Sequence, residues 1–416
     1  MASNSLIVNE RQASSRITSV MLVMLFFVFL HPYVYKGISI NYSFCLYPLV
    51  LIIYREKLVK LPNVMINSAI IFSLIFIISI FYYIQMLDMA DHRLASFIVF
   101  MTIFSYSIIN IRPDMVTAFK RAVILICVYF SIIAIYEYLE LRAMGPLHFD
   151  IKNKLGSQRY GFIYILAFWL VLLGYPDSVR NLILKYSLLV IITAGLFFTF
   201  SRSSIVAFVG TIFVYIILKV CREFIRQNYI ELFRIVFIAS IVISTIILIY
   251  YFFPITVEFY KYTLFDPILN ATLIDALNNT GSSEGMRVVR IEESVEYIIF
   301  NPLTGTGYLG IWSFSESGAG SAHNQLLDTL IRVGIIGFIC YIYLLYRLLK
   351  YLVKQDSPLF WGMVGVLIYG LFHETFKESQ GAFILAFLFG MLSQYLRDRR
   401  ASMTIQQHSN GYYARP

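Results

Sequence analysis

The residues best suited to chemistry are basic side chains that stand beside long apolar runs. Arg202, within Phe200-Ser-Arg-Ser-Ser204, occupies a short turn between two such runs. Placing an arginine at membrane depth costs about 3 kcal/mol or more, so such a residue is usually paired or functional. Its planar guanidinium can bind two phosphate oxygens at once, which predicts an anion clamp. A snorkelling interfacial arginine is the alternative.

Two further arginines, Arg287 and Arg290, lie three residues apart and share a face of any helix that contains them. The stretch Arg287–Phe300 repeats aliphatic residues at three- and four-residue spacing, which predicts a short amphipathic helix. Free amide groups at the start of a helix also favour anions. Two interpretations stay open: anion binding, and a solvated face on which the arginines pair with Glu293 or Glu296.

The third basic group is His323, which stands where a loop becomes an apolar run. A neutral histidine there can orient a sugar hydroxyl or accept its proton, while a capping or packing role is the alternative. Asn324 beside it and Arg332, nine residues further on, are predicted to bind substrate.

The elements that must position these residues are membrane spans. Of the 416 residues, 59% are hydrophobic and only 14% are charged, whereas a soluble protein has roughly a quarter of its residues charged. This composition excludes a water-soluble enzyme, a nucleic-acid-binding domain and a disordered chain. It predicts an all-α integral membrane protein, in which the net charge of +9 reflects basic cytoplasmic loops.

Apolar runs predict about twelve transmembrane helices. They lie at 17–35, 38–54, 61–83, 94–111, 122–137, 161–175, 186–200, 203–220, 235–253, 333–349, 359–373 and 381–396. The loops on one side hold 21 of the 33 basic and 8 of the 24 acidic residues. The positive-inside rule therefore places that side, and both termini with it, in the cytoplasm.

The prediction divides the chain into tails, two sets of spans and one large late loop. These parts are a cytoplasmic tail at 1–16, transmembrane helices 1–9 at 17–253, a periplasmic loop at 254–332, transmembrane helices 10–12 at 333–396 and a cytoplasmic tail at 397–416. A loop of this length is uncommon unless it is functional. It contains the short amphipathic helix, which Pro302 and the glycines after it are expected to end.

No nucleotide-binding or metal-binding motif accompanies the basic residues. The sequence has no Gly-Lys-Ser/Thr phosphate loop, no dinucleotide fingerprint, no zinc-protease helix and no Asp-x-Asp loop motif. We therefore predict neither a cofactor nor a metal, and an enzyme of this kind needs a donor that is already activated. A polyprenyl-diphosphate-linked sugar fits, because arginines can neutralise the leaving diphosphate.

Three segments, in order and spacing, resemble the O-antigen ligase and O-antigen polymerase superfamily of bacterial envelope glycosyltransferases. They are Thr199-Phe-Ser-Arg202-Ser-Ser; Gly285-Met-Arg287 with the later Asn301-Pro-Leu-Thr-Gly-Thr-Gly307; and His323-Asn324 followed after nine residues by Gly334-Ile-Ile-Gly337. The resemblance implies that Arg202 and Arg287 hold an undecaprenyl diphosphate. It also implies that His323 orients or activates the acceptor hydroxyl, which makes these three the predicted catalytic residues, and that the protein lies in the bacterial inner membrane.

The expected reaction is polymerisation of O-antigen, capsule or exopolysaccharide at the periplasmic face. Undecaprenyl-diphosphate-linked glycan would be transferred to another lipid-linked repeat unit. The expected partners are this lipid-linked oligosaccharide, membrane lipid, and a chain-length regulator and flippase of the same pathway, with no nucleic acid. Two alternatives stay open: an O-antigen ligase that joins glycan to lipid A–core, and a lipid-linked-sugar flippase or transporter, which predicts repeated, broken spans that the sequence lacks.

Overall fold

A computed structural model describes the parts of the chain that are discussed below. They are residues 33–35, 38–40, 59–84, 107–109, 111–143, 160–175, 179–230, 283–306, 310–311, 322–376 and 379–412, with five isolated positions between 233 and 251. The predicted spans at 17–35, 38–54, 94–111 and 235–253 lie largely outside these residues.

Helices dominate the described residues. They are α1 (Asn63–Ile84), α2 (Pro113–Ala143), α3 (Gly161–Gly174), α4 (Val179–Phe198), α5 (Arg202–Ile225), α6 (Ser283–Phe300), α7 (Gln325–Gln355), α8 (Ser357–Gly370) and α9 (Ser379–Tyr412). Strands β1 (Tyr33–Tyr35) and β2 (Ile38–Ile40) form an antiparallel hairpin with Tyr33 opposite Ile40. The all-α prediction omitted this hairpin, whose β-branched and aromatic residues favour strands.

Four of the described helices are long and apolar enough to cross a membrane. The segments are Pro113–Leu139, Asn181–Phe198, Arg202–Ile225 and Gln325–Gln355, and shorter apolar helices occupy Asn63–Ile75, Gly161–Gly174 and Ser357–Gly370. All seven overlap predicted apolar runs. The helical membrane architecture is therefore confirmed, whereas the total of twelve spans stays a prediction.

The chain forms two compact units. The first comprises residues 1–122, 290–355 and 374–416. Within it, α7 packs against α1 and α9, and Phe119 stacks on Phe387 with 4.3 Å between ring centroids. Arg397 of α9 donates hydrogen bonds to the carbonyl oxygens of Ser107 and Ile109.

The second unit comprises residues 123–289 and 356–373. Within it, α8 packs against α3 and α5, and α3 packs against α4. Close approach of α8 to α3 depends on glycine: a Cβ on Gly362 would overlap Leu166, and one on Gly365 would overlap Ile165. These contacts hold the start of α5, which carries Arg202.

Candidate functional site

Arg202 is the first residue of α5, directly after a sharp turn. Phe200 has a positive φ of 53°, which reverses the chain at the end of α4. Ser201 is the N-cap: its hydroxyl accepts from the backbone N–H of Ser204 at 3.4 Å and from the Ser204 hydroxyl at 2.7 Å. The first turn of α5 has no acidic residue. The half-buried guanidinium and the positive end of the helix dipole therefore both contribute to a positive electrostatic potential at this site.

Packing around Ser204 fixes this turn in the second unit. A Cβ on Gly161 would overlap the Ser204 hydroxyl and would also lie 2.9 Å from the Tyr369 ring. On the other side, Tyr138 stacks on Phe198 with 4.4 Å between centroids. The start of α5 therefore has little freedom to shift along α3, and the position of Arg202 is set by close contacts.

Helix α6 carries the two loop arginines, and its predicted extent is confirmed, with four additional residues at its start. Arg287 belongs to the second unit and Arg290 to the first; both are half-buried. Arg290, Ser294 and Ile298 follow one side of the helix at four-residue intervals. Among the described residues, neither Nε of Arg290 nor Oε2 of Glu293 has a hydrogen-bond partner.

His323 precedes the start of α7 in the first unit. It is half-buried and has a positive φ of 53°. The N-cap is its neighbour Asn324, whose side-chain oxygen accepts from the backbone N–H groups of Leu326 and Leu327 at 2.9 and 3.0 Å. Capping thus occupies the amide oxygen of Asn324, and a substrate contact from this residue is left to its amide nitrogen.

Helix α7 is broken at Gly334, where φ is 61° and ψ is −175°. The turn after α6 provides hydrogen-bond partners for the backbone groups of α7 that lose their helical partners at the break. Thr306 N donates to the carbonyl of Ile331, and Ile335 N donates to the carbonyl of Pro302, both at 2.8 Å. We call this set of contacts between residues 302–306 and 331–335 the backbone clasp.

Two glycines make the clasp possible. A Cβ on Gly305 would overlap the carbonyl oxygen of Ile331, and one on Gly334 would overlap that of Leu303. Both glycines have φ of 61°, a conformation that side chains disfavour. Gly337, three residues after the break, lies against α1, near Ile75.

Arg332 is buried rather than open to solvent. Its Nε donates to Oδ2 of Asp328 at 2.7 Å, with the two side chains 7% and 4% exposed. Its guanidinium lies against Gly310, where an added Cβ would be 2.7 Å from Cζ. Asp328 was missed by the sequence analysis, although a carboxylate four residues before an arginine on a helix is a recognisable signal.

A second segment of the first unit reaches the start of α7. Phe376 N donates to the side-chain oxygen of Gln325 at 2.8 Å, and Gln325 also hydrogen-bonds Thr329. Glu374 and Thr375 beside Phe376 are buried. The sequence analysis did not connect this turn with His323, because 51 residues separate Gln325 from Phe376.

The predicted site residues are divided between the two units. Arg290, His323, Asn324 and Arg332 belong to the first unit, and Arg202 and Arg287 to the second. In the first unit, Ile298 of α6 packs with Leu327 and Ile331 of α7 around a small core. No group of three or more metal-binding side chains occurs in the described part of the chain.

Residues 187–342 match a family model described as O-antigen ligase. This segment is similar to the O-antigen ligase family. The match confirms the predicted resemblance to the O-antigen polymerase and ligase superfamily, and it contains all six predicted site residues. It indicates a glycosyltransferase-type function of the O-antigen ligase or polymerase kind. No curated protein matches the chain.

Proposed function

We propose that this protein is a polysaccharide polymerase of the bacterial inner membrane. It transfers glycan from undecaprenyl diphosphate to another lipid-linked repeat unit at the periplasmic face, without a metal ion, and both of its termini are cytoplasmic. The observation that carries the proposal is the position of its basic residues. Arg202 is the first residue of α5 and Arg287 the fifth of α6, and His323 lies two residues before α7.

Basic side chains in these positions favour an anionic ligand. A cation at a helix N-terminus is opposed by the helix dipole, at about 0.3–1 kcal/mol per charge, whereas an anion there is stabilised. A diphosphate beside Arg202 would meet both the guanidinium and the free N–H groups at the start of α5, whose first turn has no acidic residue. This combination stabilises the leaving diphosphate as negative charge develops on it.

His323 is the group that we assign to the acceptor. Its backbone has a positive φ and lies directly before the cap of α7. There it either accepts the proton of the attacking hydroxyl or orients that hydroxyl, as general acid–base groups do. Arg290 is a further candidate ligand for the donor, since its Nε lacks a partner among the described residues.

Ligation of finished O-antigen to lipid A–core is the second candidate, favoured by the similarity to the O-antigen ligase family. Both reactions use the same donor chemistry and differ in the acceptor. The residues that hold the diphosphate are therefore common to the two candidates.

Gene deletion with rescue tests both. Core carrying a single repeat on a silver-stained gel indicates lost polymerisation, and bare core with long polymer left on undecaprenyl diphosphate indicates lost ligation. An unchanged ladder with loss of a capsule or exopolysaccharide indicates polymerisation of that polymer. Normal amounts of every surface glycan contradict the proposal, and lipid-linked repeats confined to the cytoplasmic leaflet indicate a flippase.

Rescue variants connect the phenotype to the site. Arg287→Ala is expected to fail to restore the glycan at normal protein level, whereas Arg347→Ala is expected to restore it. Arg347 is the matched control, because it lies at the other end of α7 and its hydrogen bond to Tyr343 is exposed. Full rescue by Arg287→Ala contradicts the assigned role of Arg287.

A further inference from the structure

The Asp328–Arg332 ion pair contributes little net stability, because burying both charges costs solvation free energy. Both side chains are more than nine-tenths buried, and Oδ1 of Asp328 has no hydrogen-bond partner among the described residues. Removing two charges from water carries a penalty that their attraction only partly offsets, so a buried pair is weak support for stability alone. A role in placing neighbouring segments accounts better for its presence.

Arg332 places Gly310 and, through it, the turn at residues 302–306. The flat guanidinium lies directly against the α-carbon of Gly310, whose φ is 69°. Gly310 N donates to the hydroxyl of Thr306 at 2.8 Å, and Thr306 belongs to the backbone clasp at Ile331. Arg332 and the clasp therefore hold the same turn from adjacent positions on α7.

The turn at residues 302–306 lies between the end of α6, the helix that carries Arg290, and the clasp on α7, the helix that follows His323. Helix α6 ends at Phe300, immediately before the turn, and its Ile298 packs against the first two turns of α7. His323 lies at the start of those turns. A shift of the turn along α7 would displace α6, and with it Arg290, relative to His323.

We infer that Asp328 and Arg332 are positioning residues for the proposed glycan transfer. Asp328 orients the guanidinium of Arg332, which sets the position of Gly310. Through the hydrogen bond from Gly310 to Thr306, this sets the register of residues 302–306 on α7 and so the placement of Arg290 relative to His323. Arg332 acts through Gly310 and does not contact the substrate, in contrast to the sequence prediction. The inference rests on the proposed function.

The first test removes the whole pair. Asp328→Leu/Arg332→Met removes both charges of the pair together, so the folded fraction should stay close to that of the wild type. Transfer would be measured in proteoliposomes, with lipid-linked oligosaccharide extracted from the deletion strain as donor and acceptor. We expect kcat to fall about 100-fold, the usual cost of a misplacement near 1 Å, with KM within twofold of wild type.

Two kinetic outcomes overturn the inference. A folded double variant with wild-type kcat shows that the pair does not position the site. A raised KM with unchanged kcat shows that Arg332 binds the substrate directly. If the double variant does not fold, Gly310→Ala and Arg332→Lys provide a double-mutant cycle. The lysine leaves room for the added methyl group, so kcat of the double variant should be at least tenfold higher than kcat of Gly310→Ala. Additive effects of the two substitutions on kcat overturn the inference.

A distance measurement separates this inference from the proposed function. Spin labels at the exposed positions Ile291 on α6 and Ile336 on α7, in a cysteine-free background, report the placement of the two helices by pulsed electron resonance. The double variant should broaden or shift the distance distribution, and Arg347→Ala should not. An unchanged distribution overturns the inference even if glycan transfer is demonstrated. A changed one supports it even if Arg287→Ala rescues the glycan fully.

Discussion

The turn that carries Arg202 and the turn that carries His323 both begin a helix, yet they are stabilised differently. Ser201 caps α5 with help from Ser204, three residues away, so the capping hydrogen bonds are local. The start of α7 has its own cap at Asn324, but the backbone clasp joins residues 25 or more positions apart. The capping hydrogen bonds of the Arg202 turn are thus local, whereas the helix that follows His323 also depends on hydrogen bonds to a distant segment.

The largest effect is expected from breaking the clasp. Gly334→Ala forces a side chain into a backbone region that is essentially restricted to glycine and against the carbonyl of Leu303. We expect a loss of about 3 kcal/mol or more, seen as a lower melting temperature in detergent. Gly210→Ala is the control, because the nearest atom to its Cβ is 3.9 Å away; a similar loss there would mean that glycine loss in general, not the clasp, is responsible.

A smaller loss is expected when the packing beneath Arg202 is disturbed. Gly161→Ala places a methyl group on the Ser204 hydroxyl, and overpacking of this kind costs about 1–3 kcal/mol. Ser204→Gly in the same chain removes the overlapping atoms and should recover part of the melting temperature. Additive destabilisation by the two substitutions would show that this contact does not limit the position of the turn.

Removal of either cap should destabilise the protein by a similar amount, but the two changes can differ in their effect on glycan transfer. Ser201→Ala and Asn324→Ala each remove a cap worth about 1 kcal/mol. Asn324→Asp keeps the capping oxygen and should retain the wild-type melting temperature. If it also retains glycan transfer, Asn324 is a cap alone; if transfer is lost at unchanged stability, its amide nitrogen contacts the substrate, as the sequence analysis predicted.

The smallest effect is expected outside both turns. Arg347→Ala removes an exposed hydrogen bond to Tyr343, and exposed interactions of this type contribute about 0.5 kcal/mol or less. The melting temperature and glycan transfer should both remain near wild type. A large loss would mean that the C-terminal end of α7 is coupled to the site.

Local residue patterns predicted a large part of this structure. The aliphatic spacing of Arg287–Phe300 indicated α6, and hydropathy placed α1, α3, α5 and α8 within a few residues of their observed positions. Such patterns suffice because backbone hydrogen bonds within a membrane helix are formed between near neighbours. The six predicted site residues also lie in the family segment, although their roles stay predictions.

The sequence by itself determined the helical membrane class, the superfamily and the basic residues that could hold an anion. Only the tertiary structure decided that Arg332 is buried against Gly310, that Gly334 breaks α7, and that Phe376 bonds Gln325. Each of these depends on where a distant backbone passes. Such contacts leave no periodic signal in the residues that make them, because they are chosen by packing of the whole unit and not by neighbouring side chains.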